Sequence, residues 1–187
     1  MQSQTDNGPK YLPGDPRPEQ RVERMLRVDH AGEFGAVRIY SGQKAVLGKS
    51  KKTGALLAHM LEQEQVHLKT FEGLIKKRGA RPTALMPLWH VAGWALGAGT
   101  AALGEKAAMA CTVAVEEVID EHYADQIEAL GNDEPELAET FEKFRQEELE
   151  HRDIGLEHGA EKTIGYAPLT GLIKNGSRLA IWLSERF

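Results

Sequence analysis

Six residues in this chain have the types and the spacing needed to hold two metal ions. Glu33 and Glu64 are 31 residues apart, and Glu116 and Glu148 are 32 apart. The second glutamate of each pair opens a Glu-x-x-His: Glu64 precedes His67 and Glu148 precedes His151. Residues three apart on a helix lie one above the other on nearly the same face. Each such carboxylate and imidazole can therefore reach one ion. A single Glu-x-x-His carries little information, but here each half reads Glu, then Glu-x-x-His one helical hairpin later. That is an internal repeat, as in a bundle with an approximate two-fold axis. Four carboxylates and two imidazoles suit iron or manganese better than zinc, which favours cysteine and histidine. Two divalent ions cancel four negative charges, and six protein ligands leave coordination positions open for oxygen or water. By analogy with other helical bundles that hold two metals, Glu64 and Glu148 are expected to bridge, with Glu33 and Glu116 binding one ion each.

Helices must position these residues, because helical periodicity recurs along the chain and no convincing strand pattern is present. The first helix is predicted from Pro18, a favourable first-turn residue, to near Gly48, with Val22, Leu26, Glu33, Val37 and Tyr40 inward. A second spans residues 54–78, with Leu57, Met60, Leu61, Glu64, Leu68 and Phe71 on its stripe. A third covers residues 105–130, where Thr112, Glu116, Ile119, Tyr123 and Ile127 share a face. A fourth covers residues 135–158, with Leu137, Phe141, Phe144, Glu148 and His151 inward. In each helix one glutamate occupies a position where a bundle normally places leucine. A carboxylate buried alone is very costly, so four of them in one core call for cations.

Two further segments stand apart. Residues 86–104 contain no Asp, Glu, Lys or Arg, but hold Trp89, His90, Trp94 and four glycines. This stretch is slightly short for a transmembrane helix. It is expected to form one or two apolar helical pieces joined to the third long helix, serving as a buried connector, a membrane-dipping element or a wall of a substrate channel. A last amphipathic helix is predicted over residues 169–183, with Leu169, Leu172, Ile173, Leu179, Ala180 and Leu183 on one side. The fold class is thus all-α: a ferritin-like four-helix bundle with an extra apolar segment and a C-terminal amphipathic helix.

Other chemistry-bearing residues lie close to the ligands in sequence. Asp29 and Asp120 are one turn from Glu33 and Glu116, and metal-bound histidines commonly donate to a carboxylate. His122 and Tyr123 follow Glu116 by about two turns and fit beside a substrate, behind the ligands, or, for Tyr123, in a plain core. Cys111 reads as a small buried residue.

Composition bounds the rest. The length of 187 residues suits one domain, residues 19–187, preceded by a polar tail, residues 1–18, expected to be mobile. A formal charge of −5 argues against a nucleic-acid partner. One cysteine fits a reducing compartment and excludes the Cys-rich domain of rubrerythrins. A storage ferritin, the alternative for this ligand set, has no need of the apolar segment. The tail lacks the pattern of a secretory signal or transit peptide.

The segments Arg27-Val-Asp-His-Ala-Gly-Glu-Phe-Gly-Ala36, Met86-Pro-Leu-Trp89, Ala95-Leu-Gly-Ala-Gly-Thr100, Met109-Ala-Cys-Thr-Val-Ala-Val-Glu-Glu117 and Glu147-Glu-Leu-Glu-His-Arg-Asp-Ile-Gly155 resemble the demethoxyubiquinone hydroxylase family. The resemblance runs over nearly the whole chain. It implies a ferritin-like fold and a site of two Fe ions on Glu33, Glu64, His67, Glu116, Glu148 and His151. It implies a monooxygenase that uses O2 to hydroxylate the ring of a demethoxyquinone in ubiquinone biosynthesis, with NADH as the suggested electron source. No Gly-x-Gly-x-x-Gly follows a strand here, so a conventional dinucleotide fold is not expected. The implied partners are a quinone lipid, a membrane surface and a lipid-binding protein of the same pathway, and a homo-oligomer is allowed. The implied location is peripheral, on the cytoplasmic face of a bacterial inner membrane, or on the matrix side of the mitochondrial one if a presequence is missing.

Overall fold

A computed structural model describes residues 16–187, so most of the expected tail lies outside the described residues. Among the described residues there are six α-helices, one short 3-10 turn and no strand. The helices are α1 (Pro18–Leu47), α2 (Lys51–Arg78), α3 (Met86–Ala102), α4 (Glu105–Leu130), α5 (Pro135–Glu157) and α6 (Tyr166–Ser184).

Local chemistry sets these boundaries. Pro18 occupies the first turn of α1, where its missing N–H costs nothing. Helix α2 starts three residues earlier than the periodicity suggests, because the Ser50 side chain caps it by accepting from the Thr53 N–H at 3.3 Å. Gly79 ends α2 in the left-handed region at φ 68°. The apolar segment departs from expectation in one respect. It is a single helix, α3, and it is not joined to α4. Gly104 separates the two at φ 118°, a conformation that side chains resist.

The bundle proper consists of two hairpins, α1–α2 and α4–α5. Helix α3 lies on α1, and α6 lies on α4. The order α1-α2-α3 is thereby repeated as α4-α5-α6, with the third helix of each half packed on the first. Glycines make the α1–α3 contact close. A Cβ added at Gly93 would sit 2.9 Å from the Gly35 carbonyl oxygen, and one added at Gly97 would overlap the Ile39 carbonyl. Leu96 of α3 and Ile173 and Leu169 of α6 meet over Ile39 and Val115, while the Trp89 indole N–H donates to Ser184 Oγ at 3.0 Å. Helices α3 and α6 therefore run past each other in opposite directions.

Two apolar layers fill the bundle. One holds Leu26, Phe71, Tyr123, Phe141 and Phe144. The other holds Tyr40, Leu57, Met60, Met109 and Val113. Along α1, Glu33 falls between Leu26 and Tyr40, and along α2, Glu64 and His67 fall between Met60 and Phe71. Helices α4 and α5 repeat the pattern. The six polar residues thus occupy a layer walled by hydrophobic side chains at both ends.

A carboxylate-rich metal centre

The six residues picked out by spacing converge. Glu33, Glu64, His67 and Glu148 each bring a ligand atom to one point, with those atoms all within 4.8 Å of one another. Glu64, Glu116, Glu148 and His151 do the same at a second point. The groups share Glu64 and Glu148, the two carboxylates expected to bridge. All six side chains belong to residues no more than 4 % exposed.

The lone pairs meet without satisfying one another. Both Glu64 oxygens and Glu33 Oε2 are buried and accept no hydrogen bond. His67 Nδ1 lies 3.0 Å from Glu148 Oε1 and 3.4 Å from Glu33 Oε2. His151 Nδ1 lies 3.0 Å from Glu64 Oε1 and 3.1 Å from Glu148 Oε2. Buried acceptors left unpaired in this way cost free energy unless a cation sits among them. The donor set therefore fits two hard or borderline divalent ions.

Protonation reports the same tension. Burial pushes the Glu33, Glu64 and Glu116 carboxyls up, and neighbouring carboxylates reinforce this at Glu64 and Glu116. Burial opposes ionisation at Glu148 too, but hydrogen bonds from His151 and His67 bring it down to about 2. At His67 burial works against the charged ring, yet the adjacent Glu148 and Glu33 carboxylates lift it to about 12.

The surrounding polar side chains obey the two-fold repeat. Tyr123 on α4 donates to Glu33 Oε1 on α1 at 2.5 Å. Tyr40 on α1 donates to Glu116 Oε1 on α4 at 2.7 Å. Burial first, and then nearby carboxylates, keep both phenols protonated. The sequence holds this signal as Glu33-x6-Tyr40 and Glu116-x6-Tyr123, and the repeat extends the Tyr123 expectation to Tyr40. The histidines follow the same rule. His67 Nε2 pairs with Glu147 Oε2 at 2.6 Å, and His151 Nε2 pairs with Gln63 Oε1 at 3.0 Å. Gln63 and Glu147 each immediately precede a Glu-x-x-His, and neither was picked out by the sequence reading.

The two aspartates therefore differ from expectation. Neither is the partner of a cluster histidine. Asp29 is buried and accepts from Gln126 at 2.8 Å, and it lies 3.1 Å from His122 Nε2. Asp120 pairs with Arg145 at 2.6 Å on the partly exposed flank of the bundle. Periodicity placed both on the right helices, but the facing residues that capture them belong to other elements. Cys111 is buried, and burial pushes its thiol up to about 12, the environment of an inert packing residue.

Fold and cluster together define a ferritin-like helical protein built around a carboxylate-rich pair of metal positions. Residues 20–184 match the family described as ubiquinone biosynthesis protein COQ7. The chain is 62 % identical over 175 residues to the 3-demethoxyubiquinol 3-hydroxylase of Rhodospirillum rubrum, spanning 94 % of this chain and 82 % of that one. It is 56 % identical over 169 residues to the NADPH-dependent 3-demethoxyubiquinone 3-hydroxylase, mitochondrial, of Homo sapiens, spanning 88 % and 77 %. It is 40 % identical over 181 residues to the 5-demethoxyubiquinone hydroxylase, mitochondrial, of Saccharomyces cerevisiae, spanning 88 % and 78 %. The chain belongs to this family.

Proposed function

We propose that this protein is a di-iron monooxygenase that hydroxylates the ring of a demethoxyubiquinone or demethoxyubiquinol in ubiquinone biosynthesis. The observation that carries this is a buried four-glutamate, two-histidine cluster in a chain 62 % identical to a 3-demethoxyubiquinol 3-hydroxylase. One Fe would be held by Glu33, Glu64, His67 and Glu148, and the other by Glu64, Glu116, Glu148 and His151. Iron with O2 supplies the oxidising power for ring hydroxylation. The rest falls to the chain's own residues. Tyr40 and Tyr123 fix the orientation of Glu116 and Glu33 through their hydroxyl protons. Phe144 stacks on the His67 ring with centroids 4.1 Å apart and, with Phe71, closes that end against water.

The substrate class calls for a membrane surface. No helix among the described residues is long and apolar enough to cross a membrane. Yet Leu88, Val91 and Trp94 of α3 are exposed, as are Leu172, Leu179 and Trp182 of α6. Two neighbouring helices with apolar outer faces suit a protein that lies on a bilayer and draws a quinone lipid from it. A lipid-binding partner of the same pathway, or a second copy, would meet the same face. Relatives are named as mitochondrial proteins and one comes from a bacterium, so the inner membrane of either is the proposed location.

The electron donor is proposed to be NADH or NADPH, the latter appearing in the name of the human relative. Without a nucleotide fold, its phosphates need a cationic surface.

The test is iron-loaded protein with vesicles carrying a demethoxyquinone, given NADH or NADPH under labelled O2. The expected product is heavier by one labelled oxygen atom, from protein holding two Fe per chain. Oxidation of iron(II) with no quinone product would point instead to the storage alternative.

A further inference from the structure

The approximate two-fold repeat relates almost every polar residue of the centre to an identical partner. Glu33 corresponds to Glu116, Tyr40 to Tyr123, Glu64 to Glu148, and His67 to His151. The residues behind the two histidines break the pattern. His67 Nε2 faces the carboxylate of Glu147 at 2.6 Å, and His151 Nε2 faces the carboxamide of Gln63 at 3.0 Å.

In both rings Nδ1 points into the cluster, toward Glu33 and Glu148 for His67 and toward Glu64 and Glu148 for His151. With Nδ1 on a metal, each Nε2 carries the proton and donates outward. A carboxylate acceptor stabilises the positive charge that metal binding builds on the imidazole, and it raises the ring's donor strength. A neutral amide accepts the same proton with less than that effect, since charge-assisted hydrogen bonds are about twice as strong as neutral ones. The surroundings keep the difference alive. The His67 side chain is 1 % exposed and the Glu147 side chain 28 %, so their contact is mostly shielded from water. Phe144 covers the His67 ring. Among the described residues, Lys143 pairs with the other Glu147 oxygen at 3.8 Å and is largely exposed, where solvent weakens its pull.

We infer that Glu147 and Gln63 are positioning residues that make the two metal positions unequal: the position served by His67 binds iron more tightly and fills first, and the position served by His151 binds it more weakly. This inference rests on the two-metal reading of the centre and names the residues that differentiate it.

The experiment titrates metal-free protein with iron-57(II) without oxygen and reads occupancy by Mössbauer spectroscopy, with affinity from a competing chelator. The wild-type protein at one equivalent should show one dominant quadrupole doublet, and at two equivalents a second of equal area. Glu147→Gln should abolish the order of filling and weaken the first equivalent by roughly tenfold, the lower end of such outer-partner effects. Gln63→Glu should tighten the second equivalent, and the exchange of both should invert the order. Neither substitution removes a ligand, and helicity by circular dichroism checks the fold. Should Glu147→Gln unfold, Gln63→Glu still decides, because an unchanged second equivalent there overturns the inference. Equal filling in the wild type, or an order untouched by Glu147→Gln, overturns it as well. Ring hydroxylation by the wild-type protein is assayed in parallel. Ordered filling without product would leave the inequality standing and remove the hydroxylase reading.

Discussion

Replacing Leu172 and Leu179 of α6 with serine should detach the protein from membranes while leaving its fold intact. These two side chains are 73 % and 56 % exposed, together about 1.3 leucines presented to the surroundings. Fully burying one leucine is worth about 1.5–3 kcal/mol, so the pair should contribute about 2–4 kcal/mol if the bilayer covers it. At about 1.4 kcal/mol per tenfold, the vesicle partition coefficient should fall by roughly 30- to 700-fold. Because both positions already face outward, the folded state loses little, and stability should change by less than about 0.5 kcal/mol. The assay is flotation with neutral vesicles, repeated at high salt, since an apolar contact is not screened. The intrinsic fluorescence of Trp182, on the same face, gives a second measure through its blue shift on insertion. Trp89 is a poor choice for such a test, because its indole ties α3 to Ser184 of α6. A partition coefficient within threefold of wild type, with an unchanged melting temperature, would refute the reasoning. The face would then belong to a second copy or a protein partner.

Glu148→Ala should lower ring hydroxylation by at least ~100-fold with helicity retained, because both metal groups share Glu148. Glu150→Ala, on the exposed side of the same helix, should leave turnover unchanged, and loss of activity in that variant alone would mean α5 is misoriented. Loading the metal-free protein with iron should release protons, since burial holds the Glu33, Glu64 and Glu116 carboxyls up and His67 stays protonated to about 12. Metal must displace those protons, so affinity should rise as pH rises, and calorimetry in buffers of different ionisation enthalpy measures the release. Gly97→Val should destabilise by about 3 kcal/mol or more in urea unfolding, because its Cβ would meet the Ile39 backbone rather than a movable side chain. Gly99→Ala, two residues on with nothing within 4 Å, should be neutral or stabilise by up to ~1 kcal/mol.

The ligands were legible in the sequence because each violates a strong rule. A glutamate on a leucine stripe is conspicuous, and four of them at repeating intervals define both the helices and the layer where they meet. The outer partners were not legible in the same way. Periodicity says which face a residue occupies on its own helix, but not which residue faces it from the next. Asp120 illustrates this: it lies one turn from Glu116, yet Arg145 of α5 captures it. Gln63 and Glu147 bond across hairpins, from α2 to α5 and from α5 to α2, so only the set of helix rotations reveals them. The repeat itself could have exposed Tyr40, since Glu-x6-Tyr occurs in both α1 and α4. Helix α6 departs from the predicted single stripe for a different reason: its apolar residues serve two faces, with Ile173 packed against α4 and Leu172 and Leu179 pointing outward.

The duplicated architecture also gives the centre a direction. Helices α3 and α6 pack on α1 and α4, and their apolar outer faces lie beyond those helices. The residues that α1 and α4 contribute to the cluster are Glu33, Tyr123, Glu116 and Tyr40, linked crosswise. The histidines and their outer partners come from α2 and α5. On the proposed function, a quinone whose tail stays in the membrane therefore brings its ring toward the side of Glu33 and Glu116, away from the two imidazoles. The tyrosines stand on that side with both hydroxyl protons committed to carboxylates, so they hold the ligands in place and do not compete for the ring. On the α2–α5 side, Glu147 is within reach of water and Lys143. One repeated three-helix unit thus supplies both halves of the carboxylate–histidine cluster and both helices that carry the apolar outer faces.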